Sequence, residues 1–497
     1  MLLRSYLLLL LVCASAFSRA EDGHDLWLRY KPLENAAQYK ISGIYMTSNS
    51  PTLNATAEEL TRGLSGLLNK KISLETSLND GSIVAGTPES SSIVASIPIK
   101  KLSRDEGYLI TSITYASKKI IVIAAYKEIG VLYGAFHFLR LLQTQQSIEN
   151  LNIRDFPRKE LRLMNHWDNL NRYVERGYAG ISIWDWHKLP GYIDPVYKDY
   201  ARANASIGIN GTVLTNVNAN AMVLTPMYLE KVKALADVFR PYGIKVYLTA
   251  RFSAPVEIGG LKTADPLNPD VQKWWTKKAQ EIYEFIPDFG GFLVKANSEG
   301  QPGPQNYGRT HADGANMLAD AVAPYGGLVI WRAFVYSNET PEDRFKQAYN
   351  EFKPLVGKFR SNVLLQVKNG PIDFQPREPF HPLFGAMGHT PLMMEFQLTQ
   401  EYLGFATHLV YLPVMFKEVL DARPSGETID IGGIVEGVAG VANIGNERNW
   451  TGHPFGQANW YALGRLAWNP SLSAETIAEE WIRQTFSNNK KFVDTVK

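Results

Sequence analysis

An apolar run that ends in a charge makes poor core and good chemistry. In GGFLVKANSEGQPGP, residues 290–304, Lys295 closes such a run and Glu299 follows before a Gly–Pro turn. The pattern recurs: LRLMNHWDN delivers His166, Trp167 and Asp168, VIWRAFVY carries Arg332, LLQVKNGPIDF gives Lys368 and Asp373, and MMEFQLTQEY gives Glu395 and Glu401. Carboxyl groups on either side of a glycosidic bond can cleave it, one protonating the leaving oxygen and the other acting as base or nucleophile at the anomeric carbon. Glu299 precedes a turn that could hold it rigidly, and Asp373 and Glu401 come from later units that could face it across a pocket. Spacing alone leaves retaining and inverting outcomes both open.

The cations point to the kind of sugar. Lys295, Arg332 and Lys368 sit at the ends of three successive apolar runs. Three cations around one pocket imply an anionic ligand, because Arg grips a carboxylate through two parallel hydrogen bonds and Lys adds a compact charge. A phosphate would also suit them, but the last two units lack the glycine-rich backbone that usually holds one. A carboxylate, as on a sugar acid, is expected. Each residue also has a plainer reading, since Lys–Glu pairs are often structural; it is their recurrence at strand ends that favours chemistry. Glu395 precedes Phe396 inside its run and reads as structural or supporting. Trp167, beside charge, is expected at the pocket, whereas Trp184, Trp186 and Trp331 also fit a core. His166 is either an orienting residue or one satisfied by backbone.

Other chemistries find little purchase. No HExxH pair and no Cys/His cluster occurs, so neither metal nor cofactor is expected; His311 and Asp313 in THADG are the one compact His/Asp pair. The GxSxG of a serine hydrolase is absent. NRYVERGYAGISIWDW, residues 171–186, is aromatic and polar and suits a wall beside the pocket.

The elements that must position these residues are short apolar strands from about residue 160 onward. Eight can be counted: LRLMNHW, NGTVLTNV, IKVYLTA, GGFLVKA, GLVIWRAFV, NVLLQVK, PLMMEFQ and THLVYLP. Helical patterns such as TPMYLEKVKALADVFRPYG, DVQKWWTKKAQEIYEFI and GANMLADAVAPYG lie between several of them. Eight alternations predict an α/β chain whose centre, residues 151–430, is a (β/α)8 TIM barrel with its working side chains at the C-terminal strand ends. An open doubly wound sheet would want a glycine-rich loop after its first strand, and none is present. Residues 21–150 predict a separate N-terminal α/β domain, with two adjacent strands in GYLITSITYASKKIIVIAA and a helix in IGVLYGAFHFLRLLQ. Residues 431–497 predict the start of a mostly helical C-terminal domain, with SAETIAEEWIRQTF as a capped helix.

Composition narrows the setting. Residues 1–20, one Arg, a leucine-rich run and then small residues to Ala20, read as a secretory signal peptide, which predicts a secreted or periplasmic protein with no membrane span. The one cysteine, Cys13, lies in that leader, so the mature chain has no disulfide or thiol chemistry. A net charge of +2 without a basic block argues against nucleic acid. Eleven tryptophans and twenty-four tyrosines suit sugar-binding walls as well as cores. Sequons stand at Asn54, Asn204, Asn210, Asn338 and Asn449, with Asn210 in an apolar stretch.

Together, NHWDNLNRYVERGYAGISIWDW, YARANASIGINGTVLTNVNA, VYLTARFSAP, LVKANSEGQPGP, WRAFVY, QVKNGPIDFQPREP, MMEFQLTQEYLG and NWTGHPFGQANWYALGRLAWNP resemble the motifs of the α-glucuronidases of glycoside hydrolase family 67, from about residue 25 to near the chain end. The resemblance implies an N-terminal α/β domain, a (β/α)8 barrel and a helical C-terminal domain, here shortened, with a homodimer where that domain is complete. It implies inverting, cofactor-free release of glucuronic acid, or its 4-O-methyl ether, α-1,2-linked to the non-reducing terminal xylose of xylooligosaccharides. Carried over motif by motif, it makes Glu299 the general acid and Asp373 and Glu401 the candidate bases. Lys295, Arg332 and Lys368 become the carboxylate ligands, and Trp167 part of the pocket wall. Two other classes remain: a non-catalytic uronate binder, and a retaining glycosidase of undecorated xylan that would not need the three cations.

Overall fold

The structure, a computed structural model, describes residues 21–99, 105–218, 220–335 and 343–497. The expected leader at 1–20 and the sequon at Asn338 lie outside them. The chain first builds a five-stranded sheet from β1 (Ile44–Tyr45), β2 (Ile83–Gly86), β3 (Tyr108–Tyr115), β4 (Lys118–Ala125) and β5 (Asn152–Asp155), in the order β1-β2-β4-β3-β5. The two adjacent strands expected in the first domain are the antiparallel pair β3 and β4. Ala116 and Ser117 both have positive φ between them, the backbone that a tight hairpin requires. Helices Pro51–Leu68 and Glu128–Gln143 pack together and bury their apolar faces beside the sheet.

Eight parallel strands then close a barrel: β6 (Leu161–Asn165), β7 (Gly211–Val213), β8 (Lys245–Thr249), β9 (Gly291–Val294), β10 (Leu328–Arg332), β11 (Val363–Lys368), β12 (Leu392–Gln397) and β13 (Gly437–Val441). Intervening helices start where chemistry favours it. Pro269–Phe285, for example, opens with a proline whose missing N–H is no loss, and Asn268 accepts from the next two backbone amides. Side chains alternate along each strand, so Leu161, Leu163, Tyr247, Leu293, Ile330, Leu364 and Met393 fill the barrel interior as one cluster. The same alternation carried toward the C-terminal ends turns Asn165, Trp167, Lys295, Arg332, Gln366, Lys368 and Glu395 inward as well.

The eighth strand is not where the sequence placed it. THLVYLP, residues 407–413, leaves a 3-10 turn at Phe405–Thr407, continues without strand structure and enters helix Pro413–Leu420, and Leu409 there is exposed. The barrel closes instead with GVAGV of β13, beyond the expected domain limit at 430. Glycines disguised this strand, and packing explains them. A Cβ at Gly440 would lie 2.2 Å from Leu463 of helix Gly456–Trp468, and one at Gly437 would lie 2.9 Å from the Leu161 Cβ. The strand can approach its helix and its neighbour only without side chains.

After β13 come helices Gly456–Trp468, Ala474–Thr485, with Ser473 as its cap, and Lys490–Val496. The expected core tryptophans Trp184, Trp186 and Trp331 are fully buried. Asn204 is buried too, its side-chain oxygen accepting from Trp460. Among the described residues no helix is long and apolar enough to cross a membrane.

Candidate active site

The C-terminal mouth of the barrel gathers the charges that the strand ends promised. Lys295 follows β9 and is almost fully buried, and its Nζ donates to Glu299 Oε2 and, at 2.8 Å, to Asn218 Oδ1. Asn218 Nδ2 in turn donates to Glu175 at 3.0 Å, and Asn216 Nδ2 donates to the same oxygen at 2.8 Å. Lys368, the last residue of β11, donates to Asp373 Oδ1 and lies 3.3 Å from the centre of the Phe334 ring. Tyr402 OH donates to the other Asp373 oxygen at 3.1 Å.

Arg332 behaves differently from the two lysines. Its Nε and Nη2 donate to the two oxygens of Glu395 at 3.1 and 2.9 Å, and both side chains are sealed from solvent. Arg332 is therefore already gripped by a carboxylate of the protein, and Glu395 is the supporting residue its place inside the strand suggested. Trp167 completes this region, its ring 5.9 Å from the Arg332 guanidinium and its buried indole N–H without a hydrogen-bond partner.

Glu401 pairs with Arg176 at 2.6 Å and accepts from Gln397 Nε2 at 3.0 Å. Arg176 belongs to the loop after β6, so the first and seventh strand ends meet through this pair. Residues 171–186 thus supply a charged partner as well as a wall.

The carboxylate-bearing loops are strained and pinned. Asn297, Glu299, Phe374, Gln400 and Arg176 all adopt positive φ without being glycine, which costs about 1 kcal/mol or more each and persists only where the surroundings enforce it. Glu378 enforces it around Asp373: its carboxylate accepts from the backbone N–H groups of Ile372, Asp373 and Gln375 at 2.8, 3.1 and 2.8 Å. Around Glu299, Asn297 Oδ1 accepts from the Gln305 amide at 3.0 Å, and a Cβ on Gly303 would strike that oxygen at 2.0 Å.

Electrostatics tie the loops into one unit. Burial raises the Glu299 carboxyl, but Lys295 and then Lys368 outweigh it and hold the group below the ordinary glutamate value, with Asp373 opposing them. Asp373 is likewise held low, burial being overcome by Lys368 and Tyr402, with Arg332 adding to them. Burial lowers Lys295, and Arg332 adds to that effect. Burial also brings Lys368 down to about 8, against the pull of Asp373 and with help from Arg332. Lys295, Arg332, Lys368, Glu299 and Asp373 therefore share one field, and Glu401 joins it through Arg176, which also feels Asp373. The assembly can bind an anion and offers carboxylates, Glu299, Asp373 and Glu401, through which protons can pass.

Spacing could not single out Arg176, Gln397, Tyr402, Glu175 and Asn218, whose partners are remote in sequence or lie on irregular backbone. Glu378 was legible only in hindsight, as an acid a few residues past a turn. Two other histidines have structural roles. His166 Nε2 is 2.8 Å from Tyr200 OH, while His311 lies 3.1 Å from Glu351 and accepts from the Trp331 indole. Asp313 caps its own helix. Among the described residues no cluster of three or more His, Cys, Asp or Glu is arranged to hold a metal.

Known proteins of this architecture carry related names. The chain is 40% identical over 531 residues to an alpha-glucuronidase A of Emericella nidulans, covering 99% of this chain and 62% of that protein. It is 40% identical over 533 residues to an alpha-glucuronidase of Hypocrea jecorina, covering all of this chain and 62% of that one. The chain thus spans about three fifths of the length of these relatives. A solved family GH115 4-O-methyl-alpha-glucuronidase with specificity for decorated arabinogalactans shares the fold, with a TM-score of 0.53 at 14% identity over 89% of this chain and 59% of that one. The glycosyl hydrolase family 67 N-terminal, middle and C-terminal models match residues 26–138, 141–450 and 451–497 in turn, and with a closed barrel whose mouth bears paired cations and acids, the chain belongs to glycoside hydrolase family 67.

Proposed function

We infer that the protein is an α-glucuronidase that releases glucuronic acid, or its 4-O-methyl ether, from the terminal non-reducing xylose of xylooligosaccharides, with inversion. The observation that carries this reading is the joining of Lys295 to Glu299 and of Lys368 to Asp373 at one barrel mouth, so that anion-binding groups and proton-transfer groups share a site. Cations alone would suit a binder, and acids alone would suit a glycosidase of neutral sugars.

In this mechanism the uronate carboxylate lies against Lys295 and Lys368, with Arg332 behind them fixed by Glu395. Trp167 packs beside the ring. Protonated Glu299 gives its proton to the glycosidic oxygen as the bond from the anomeric carbon breaks and its electron pair passes to that oxygen. Water attacks the opposite face, and Asp373 or Glu401 takes its proton. Each proton transfer of this kind contributes about 10²–10⁴-fold. Glu299 ends ionised, and the base returns its proton to solvent. The signal-peptide pattern of residues 1–20 supports export, to the medium or a periplasm.

The test compares glucuronic-acid-decorated with undecorated xylooligosaccharides. Release of uronic acid from the decorated chains, with no cleavage of the undecorated ones, is expected, and proton NMR of the first sugar released should show the β anomer. Cleavage of undecorated chains would replace this reading with a xylan glycosidase, and uronate binding without release would replace it with a binder.

A further inference from the structure

We propose that the substrate's own carboxylate arms the general acid: docking of a uronate against Lys295 and Lys368 is coupled to uptake of one proton by Glu299. This rests on the uronate-binding reading above and adds a step to it.

A general acid must enter the reaction protonated, and the free site favours the opposite state. Glu299 Oε2 accepts from Lys295, with Lys368 near, and together they outweigh the burial and the Asp373 charge that oppose them. Around the mouth, Lys295, Arg332, Lys368 and Arg176 face Glu299, Asp373, Glu401, Glu395 and Glu175, and Glu378 lies against the backbone of the Asp373 loop. A uronate brings one more negative charge to the same cations. A like charge nearby favours the neutral form of a carboxyl group, and sharing Lys295 weakens the hydrogen bond that kept Glu299 ionised.

The partners of each acid decide which one takes the proton. Asp373 keeps Tyr402 OH on its second oxygen, Glu401 keeps Arg176 and Gln397, and Glu395 keeps both donors of Arg332. Among the described residues, Lys295 is the one side chain donating to Glu299. The Glu299 side chain is also 46% exposed, against 20% for Asp373 and 10% for Glu401, so water can deliver the proton. The step balances simply: carboxylate plus proton gives carboxylic acid, and turnover passes that proton to the leaving xylose oxygen.

Calorimetric titration of D-glucuronate into the intact protein, in buffers of different ionisation enthalpy, tests this. Uptake of about one proton per uronate is expected at pH values between the free-site and bound-site pKa of Glu299. Measured well below the value near 8 at which Lys368 itself exchanges protons, it vanishes below that window, where Glu299 is already protonated, and above it, where Glu299 is ionised in both states. In the same range Glu299→Gln should bind uronate without uptake. Should that variant fail to fold, the wild-type pH profiles serve instead. The basic limb of kcat should then lie at higher pH than that of kcat/KM, because the first reports the complex and the second the free enzyme. Uronate binding without proton uptake from about pH 4 to about pH 6, a range in which Lys368 is charged throughout, or coincident basic limbs, would overturn the proposal while leaving the functional reading intact. Failure to bind D-glucuronate at all would overturn both.

Discussion

The mouth of the barrel holds two kinds of ion pair that look alike in sequence and differ in physics. Arg332 and Glu395 are joined by two hydrogen bonds, both sealed from water, on the neighbours of strand β11. Lys295 with Glu299 and Lys368 with Asp373 are joined through a single nitrogen, their lysines buried and their acids partly exposed. The first pair cannot easily open, because either partner alone would be a buried, uncompensated charge. The other two can exchange partners, because a lysine ammonium has several donors and water reaches the acids. Architecture therefore lies at the floor of the mouth and exchangeable chemistry at its rim.

Substitutions can break this contrast. The largest effect is expected from Glu299→Gln, which should lower turnover on decorated xylooligosaccharides by about 10²–10⁴-fold while leaving stability nearly unchanged; wild-type turnover would remove Glu299 from its role. Glu395→Gln should do the reverse at the floor. Removing the charge that faces Arg332 should destabilise the fold by roughly 3–5 kcal/mol, read by denaturant unfolding, whereas an unaffected midpoint would show that water solvates Arg332. Arg176→Ala removes the charged partner of Glu401, an arginine whose outer side is screened by solvent. It should lower kcat by roughly 10–100-fold with little change in KM, and Arg176→Lys should recover part of the loss. A change confined to KM would make Arg176 a substrate ligand instead.

The smallest effect sharpens the comparison through pH. An anion binds the charged form of Lys368, which burial holds near 8. Uronate affinity should therefore be full below that value and weaken as pH rises through it. A flat KM across this range would mean that Lys368 stays charged or does not touch the carboxylate.

The barrel was legible because its strands are continuous apolar runs buried on both faces, and hydropathy marks such runs well. Seven of the eight stand where the sequence indicates. The eighth was hidden by glycines that serve close packing against Leu161 and Leu463, while THLVYLP imitates a strand through local composition alone. The acids and lysines were visible because charge at the end of an apolar run is conspicuous. Arg176 and Glu378 were not, since each acts through groups that only the folded loops bring near.

Residue order by itself determined which strands carry cations and which carry acids, because alternation along a strand fixes the face each side chain takes. Tertiary structure alone decided the pairing: Arg332 with Glu395, Lys295 with Glu299, Lys368 with Asp373 and Arg176 with Glu401. The physical reason is that Coulomb attraction and desolvation depend on distance and burial in space, and neither quantity is encoded by position along the chain.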